Sequence, residues 1–240
     1  MLGRDAAAHE HINYVFPNAP AMNLTLLQQL ANTTGNVSSN SSFVVNTWYD
    51  ISAFDFVGNL GDDGHLNASL EYVHGIIADQ ERLHGIPPER VVVGGFSQGG
   101  NVALKAFGLY PRELAGCVAL SAWLEPSFIL EALEVNKARP IFWGHGENDT
   151  VSAAGKSGGA ARRRPRRAGR DPRGRVPRRA TDERAPQVVP AFLGRAGVQF
   201  LLNDGFGNVT SNFYRGLTHS YSDEELADVK AWVDAVIPPL

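Results

Sequence analysis

An α/β fold, with a mostly parallel sheet carrying helices on both faces, is predicted by three observations. Short runs of β-branched and apolar residues recur at 91–93, 114–120 and 140–143, each bounded by turn residues. Between and before them, at 69–83 and 98–109, apolar residues fall at helical spacing. The 240 residues, 43% apolar and 20% charged, suffice for one sizeable core without a second domain. Strands that alternate with helices are joined by crossovers, which lay the strands parallel and cover both sheet faces. A single domain over 1–240 follows.

The first extended stretch is His11-Ile12-Asn13-Tyr14-Val15-Phe16, which alternates well enough for a strand and is closed by the loop signal Pro17-Asn18-Ala19-Pro20. His9 and His11 form an H-x-H pair, but no third ligand follows at metal spacing, so they read as solvated residues. Residues 24–42 are polar apart from 26–30 and read as a surface excursion. Phe43-Val44-Val45 and Trp48-Tyr49-Asp50-Ile51 return to the core. The helix at 69–83 buries Leu70, Val73, Ile76, Ile77 and Leu83 and stops at Gly85; His74 and His84 read as surface. Residues 91–93 form the next strand, and the helix at 98–109 carries Val102, Leu104, Ala106, Phe107 and Leu109. The strand at 114–120 contains Cys117 in an apolar run, where a buried thiol is expected.

Beyond it come a loop at 122–124, a short helix at 128–135 and a strand at 140–143. Residues 188–193 read as a helix, 198–202 as a last strand, and Phe213-Tyr214-Arg215 as an extension of the sheet. The helix at 222–237 opens with the capping box Ser222-Asp223-Glu224-Glu225 and closes at Pro238-Pro239. Leu226, Val229, Trp232, Val233 and Val236 make its buried face.

Charge is distributed unevenly. Residues 162–184 hold 11 arginines against Asp171, Asp182 and Glu183, a local +8, so the remainder carries −11 of the net −3. The basic insert, 155–186, is Arg, Pro, Gly and Ala with almost no large apolar side chain, and disorder is expected because it cannot bury enough surface to offset its ordering entropy. It has no aromatics to stack on bases, so no specific nucleic acid is expected. Gly155-Lys156-Ser157 lacks the earlier glycine of a phosphate-binding loop. One cysteine cannot form an internal disulfide, and no leader-like or membrane-spanning apolar run is visible. A cytoplasmic location is expected. Seven N-x-[ST] triplets, at Asn23, Asn32, Asn36, Asn40, Asn67, Asn148 and Asn208, matter only on a secretory route.

The chemistry concentrates at Gly94-Gly95-Phe96-Ser97-Gln98-Gly99-Gly100, where Ser97 falls at a strand-to-helix corner in the pattern G-x-S-x-G. There Gly95 and Gly99 remove Cβ atoms that would collide in a tight turn, and the unpaired N–H groups of the helix start point at the exposed hydroxyl. A serine nucleophile needs a base to take its proton and an acid to orient that base. After Ser97 the only histidines are His145 and His219. Where the partners follow in the order serine, acid, histidine, His145 comes before its own nearby acids, so His219 is the candidate base. Glu147 and Asp149 both follow a strand end and both qualify as the acid.

The blocks around these residues carry a resemblance. The elbow, Leu120-Ser121-Ala122-Trp123-Leu124, Gly144-His145-Gly146-Glu147-Asn148-Asp149 and Gly216-Leu217-Thr218-His219-Ser220 stand in the order and rough spacing of the acyl-protein thioesterase family, in the small phospholipase/carboxylesterase branch of the α/β-hydrolases. Residues 11–20 and Trp48-Tyr49-Asp50-Ile51 resemble its upstream landmarks, so the likeness spans most of 11–150 and 188–240. The resemblance implies an α/β-hydrolase-type fold with Ser97 as nucleophile, Asp149 as orienting acid, His219 as base and the Gln98 backbone N–H as an oxyanion donor. It also implies hydrolysis of acyl thioesters or esters without a cofactor or metal. S-acylated proteins or lysophospholipids would be the substrates, met in transient contact with a membrane surface, with short-chain esters as the alternative. A long acyl chain gains about 0.8 kcal/mol per buried methylene, so an apolar groove is expected near the elbow. Trp123 and Leu124 are candidates for its wall and equally for ordinary core.

Two departures from the family pattern stand out. The family begins with a core strand ending in H-G-x-G-D, which brings a second oxyanion donor, and this N-terminal core strand is expected to be lacking here. Asn59-Leu60-Gly61-Asp62-Asp63-Gly64-His65 imitates its letters, but no apolar strand leads into it. Loss of one such donor typically costs about 2.7–4 kcal/mol of transition-state stabilisation, so a catalytically impaired acyl-binding homologue is a further expectation. The second departure is the insert at 155–186, where the family has a modest helix.

Overall fold

In the computed structural model, which describes residues 11–25, 27–29, 44–51, 63–124, 128, 131–149 and 189–239, the chain builds two sheets. β1 (Ala21–Asn23) and β2 (Val44–Asn46) pair antiparallel as a small ribbon. β3 (Val92–Phe96), β4 (Gly116–Leu120), β5 (Ile141–Gly146) and β6 (Val209–Tyr214) form a four-stranded sheet in chain order, and every pair is parallel. The described helices eight or more residues long are α1 (Asp63–His84), α2 (Gln98–Leu109), α3 (Ala191–Asn203) and α4 (Asp223–Val236).

Alternation along the strands sorts the core into two faces. Val93, Cys117, Ala119, Ile141 and Trp143 join Ala103, Leu104 and Phe107 of α2 and Leu201 of α3 in one cluster. The residues between them, Val118 and Phe142, pack with Val229 of α4, flanked by Trp232 and Val233. Helices therefore cover both faces, as expected, and each large apolar side chain fully buried this way contributes about 1.5–3 kcal/mol. The register sets Phe96 opposite Leu120, Leu120 opposite Gly144 and Gly146 opposite Tyr214. The chain thus leaves the carboxyl ends of neighbouring strands at one edge.

Several expectations need correction. Residues 11–16 form no strand: they take no ladder partner among the described residues, and Val15 and Phe16 stand 46% and 75% exposed. They are tied by side chains instead, His11 Nε2 lying 3.0 Å from the Ile237 carbonyl and Asn13 Nδ2 donating to Gln80 Oε1 at 3.4 Å. Alternation marks an extended segment, but a strand also needs a neighbour's open edge. Residues 198–202 are not a strand either. They end α3, because Leu193, Gly197 and Leu201 recur every fourth residue and the short apolar run is the tail of that period. β6, which includes Phe213 and Tyr214, is the strand that follows β5. Leu83 is 57% exposed, and His74 is half-buried, its Nε2 2.8 Å from the Ala106 carbonyl. Asn136 is wholly buried and accepts from Leu114 N–H while its Nδ2 faces the Phe107, Tyr110 and Arg112 carbonyls, closing the turn after α2. Cys117 is buried in β4, and burial pushes its thiol pKa far up. The insert at 155–186, Gly155-Lys156-Ser157, His9, the triplets at Asn32, Asn36 and Asn40, and residues 59–62 lie outside the described residues.

Candidate active site

β3 ends at Phe96 and α2 begins at Gln98, so Ser97 alone makes the corner. Its backbone sits at φ 55° and ψ −122°, a region that costs a non-glycine residue about 1–3 kcal/mol and persists only where the surroundings enforce it. Two glycines do the enforcing. A Cβ on Gly95 would stand 2.2 Å from the Gly99 carbonyl, and one on Gly100 would stand 2.8 Å from Ala122 Cβ and 2.9 Å from the Gly95 oxygen. A Cβ on Gly99 would meet nothing nearer than Trp48 Nε1 at 3.5 Å, so the tight pair is Gly95 and Gly100 rather than Gly95 and Gly99. Ser97 N–H donates to the Leu120 carbonyl, and its own carbonyl accepts from Gly100 and Asn101. The Gln98 N–H, first of the helix, has no acceptor within the helix.

The turns after β5 and β6 interlock beside this corner. Glu147 N–H donates to the Tyr214 carbonyl and Asn148 N–H to the Leu217 carbonyl, both at 2.9 Å, and Gly216 N–H donates to Asn148 Oδ1 at 3.0 Å. His219 Nε2 then lies 2.9 Å from Ser97 Oγ, and its Nδ1 lies 2.7 Å from Asp149 Oδ2. The Phe96 ring packs on the imidazole with centroids 4.8 Å apart. Asp149 is wholly buried beside His219, whereas Glu147 points outward to Arg195 at 3.0 Å.

Asp149 is held from several sides. Val189 N–H donates to its Oδ1 at 3.3 Å and Ala191 N–H to its carbonyl at 2.9 Å. His145, also wholly buried, presents Nε2 to the Val189 carbonyl at 3.0 Å and to Asp149 Oδ2 at 3.5 Å. A carbonyl can only accept, so that nitrogen carries a hydrogen. Burial pushes the Asp149 carboxyl pKa up, but hydrogen bonds and charge from His145 and His219 outweigh it and hold the pKa below the ordinary range. Gly194 makes room for His145, since a Cβ there would stand 2.5 Å from the ring. Sequence order set His145 aside because it precedes the acids. Its place in the Gly144-His145-Gly146 block was the available signal.

Trp123 and Leu124 are 3% and 8% exposed and pack within core clusters rather than on an open wall. Among the described residues no group of three or more His, Cys, Asp or Glu side chains is arranged to hold a metal, and no helix is long and apolar enough to cross a membrane. Chemically, a hydroxyl hydrogen-bonded to an imidazole that is itself oriented by a buried carboxylate can surrender its proton as it attacks an electrophile.

Residues 2–157 match the phospholipase/carboxylesterase family. The chain is 36% identical to acyl-protein thioesterase 1 of Saccharomyces cerevisiae, over 96% of this chain and 80% of that one. It is 31% identical to carboxylesterase SOBER1 of Arabidopsis thaliana, over 97% and 86%. The crystal structure of Arabidopsis thaliana SOBER1 superposes with a TM-score of 0.67 at 25% identity, covering 97% of this chain and 88% of that one.

Proposed function

The chain belongs to the phospholipase/carboxylesterase family, and from that premise we propose that it is a serine hydrolase of acyl thioesters and esters, with Ser97 as nucleophile, His219 as base and Asp149 as orienting acid. The observation that carries the proposal is the hydrogen-bonded path from Ser97 through His219 to Asp149, at 2.9 and 2.7 Å.

Ser97 Oγ attacks the acyl carbonyl carbon as His219 Nε2 takes its proton. The carbonyl electron pair moves to oxygen, where the Gln98 N–H donates to the oxyanion. Collapse restores the carbonyl and expels a thiolate or alkoxide, which takes the proton from His219. Water, deprotonated by the same nitrogen, then adds to the acyl-serine carbonyl, and collapse breaks the bond to Ser97 Oγ, which takes the proton back from His219 as the acid leaves. The name of the acyl-protein thioesterase supports acyl thioesters on proteins as substrates, and that of the carboxylesterase supports esters, short-chain or lysophospholipid, as the alternative. A lone buried thiol fits a reducing, cytoplasmic setting.

Labelling with a fluorophosphonate probe tests this reading. Wild type is expected to label and Ser97→Ala to lose the signal. A wild type that neither labels nor turns over a p-nitrophenyl ester overturns it.

A further inference from the structure

The mechanism uses only the backbone N–H of Gln98, yet its side chain makes three hydrogen bonds to a distant segment. Oε1 accepts from Thr47 Oγ1 at 2.8 Å and from Trp48 N–H at 3.0 Å, while Nε2 donates to the Tyr49 carbonyl at 2.8 Å. The Trp48 N–H can only donate and the Tyr49 carbonyl can only accept, which fixes the orientation of the amide. The same segment is fastened elsewhere. Tyr49 hydroxyl donates to Asn101 Oδ1 one turn along α2, Ser69 Oγ donates to the Trp48 carbonyl from α1, and Thr47 N–H donates to the Pro20 carbonyl.

Thr47 and Tyr49 are buried, and Trp48 between them is half-buried. Its Nε1 lies 3.5 Å from where a Cβ on Gly99 would stand, so the indole lies against the first turn of the helix that starts beside Ser97. A rigid aromatic surface, part of it open, is therefore pinned to the elbow by the residue that follows the nucleophile. Such a ring gives a large apolar contact at low conformational cost.

We propose that Trp48 is a specificity-determining residue forming a wall of the acyl site, and that the Gln98 side chain is the positioning residue that holds it there. This deepens the hydrolase reading and rests on it. The substrate class is an ester or thioester whose acyl chain extends past the reacting carbonyl far enough to lie on the indole. A short acyl chain does not reach it.

The experiment uses the full chain with p-nitrophenyl butanoate and p-nitrophenyl decanoate, measuring kcat and KM separately. Trp48→Ala lowers kcat/KM for the decanoate by about tenfold or more, chiefly through KM, while the butanoate changes by less than about threefold. Trp48→Phe restores a ring and regains most of the loss. Gln98→Met keeps the side-chain length but none of the three bonds, and because its N–H also serves the oxyanion the readout is the ratio: kcat/KM for the decanoate falls about tenfold further than kcat/KM for the butanoate. The double variant Trp48→Ala/Gln98→Met loses no further selectivity, because the amide acts through the indole. Equal effects of Trp48→Ala on both esters overturn the wall. Losses of kcat/KM in Gln98→Met that are equal for both esters overturn the clamp. Should Gln98→Met fail to fold, Thr47→Val removes one clamp bond from the far side, and unchanged selectivity there overturns the clamp as well. Wild type without Ser97-dependent turnover sinks the hydrolase reading and this proposal together, whereas turnover with unaltered selectivity in the variants sinks this proposal alone.

Discussion

The elbow at Ser97 and the paired turns that carry Asp149 and His219 face each other across 2.9 Å, yet they are held by different means. At the elbow the tightest constraints are local and steric, with Gly95 pressed against Gly99 and the Ser97 carbonyl capped by Asn101, and the Gln98 amide and Ser97 N–H add hydrogen bonds to the 47–49 segment and Leu120. At the turns hydrogen bonds between residues far apart in sequence, Asp149 to His219 over 70 positions and Asn148 to Gly216 over 68, are joined by one steric contact, Gly146, where a Cβ would stand 2.3 Å from the Leu217 oxygen. A steric fit fails all at once when an atom is added. A hydrogen-bonded latch fails by degrees. Substitutions on the two sides should therefore differ in kind as well as in size.

The largest effect is expected on the hydrogen-bonded side. Asp149→Asn keeps the size and the acceptor that Val189 N–H meets, but it presents an amide to His219 Nδ1 and favours the wrong tautomer. A fall in kcat of about 10⁴-fold is expected, with the melting temperature within a few degrees of wild type, because the defect is in proton transfer. Ester hydrolysis and a thermal melt on the same preparation check both halves. A loss of less than about tenfold would mean that Asp149 is not the orienting acid.

Next comes the steric side. Gly95→Ala places a methyl 2.2 Å from the Gly99 carbonyl, which is backbone and cannot swing aside. Destabilisation of about 3 kcal/mol or more is expected, with fluorophosphonate labelling lost in parallel as the corner opens. Gly99→Ala, whose Cβ meets only Trp48 Nε1 at ordinary contact distance, should be far milder. Equal effects of the two would remove the case for a steric corner.

The same division explains what the sequence could reveal. The elbow was legible because a β-branched run, a glycine pattern and a helical period adjoin within a few residues around Ser97. His219 stands out as the candidate base by order alone, since only one other histidine follows Ser97. The interlocked turns were not, because Asn148, Val189 and His145 act through contacts that no periodicity encodes. Residues 198–202 failed for a related reason, a short apolar run being compatible with strand or helix until Leu193 and Gly197 supply the period. At 11–16 the alternation was real, but the partner strand it implies is a tertiary fact.

Behind the turns, Glu225 offers a test of their footing. It lies at the start of α4 with its N–H donated to the Ser222 side chain, but its carboxyl is wholly buried, lies close to Gly144 of β5 and has no hydrogen-bond partner among the described residues. The reciprocal half of the expected capping box is therefore loose, the Ser222 backbone pulling on the carboxyl without an ordinary hydrogen bond to it. Burial pushes this carboxyl up to about 7 from 4.5, against the lowering pull of His145 and the Ser222 backbone. Between those values the native state holds a proton that the unfolded chain has released, so stability falls as pH rises from 4.5 through about 7. Glu225→Gln should abolish that fall and exceed wild type by up to about 3 kcal/mol above pH 7, read from urea melts at pH 5 and pH 8. A wild type equally stable at both pH values relative to the variant would show that the carboxyl is ionised and solvated.

The smallest effect sharpens the comparison most. Asn148 is exposed, and its side chain accepts a single hydrogen bond, from Gly216 N–H, that ties the His219 turn to the Asp149 turn. Asn148→Ala leaves the backbone bond from residue 148 to the Leu217 carbonyl in place, and water can satisfy the freed N–H. A loss of no more than about 1 kcal/mol in stability is therefore expected. The imidazole, however, must stay within hydrogen-bond reach of both Ser97 and Asp149, so kcat should fall by about two- to tenfold, and Asn148→Asp, which keeps the acceptor, should recover it. Gly95→Ala damages stability and activity together, while Asn148→Ala should damage activity with little change in stability. If Asn148→Ala instead lowers the melting temperature as much as Gly95→Ala does, the turns are part of the same rigid framework as the elbow, and the distinction between a steric side and a latched side of this site is gone.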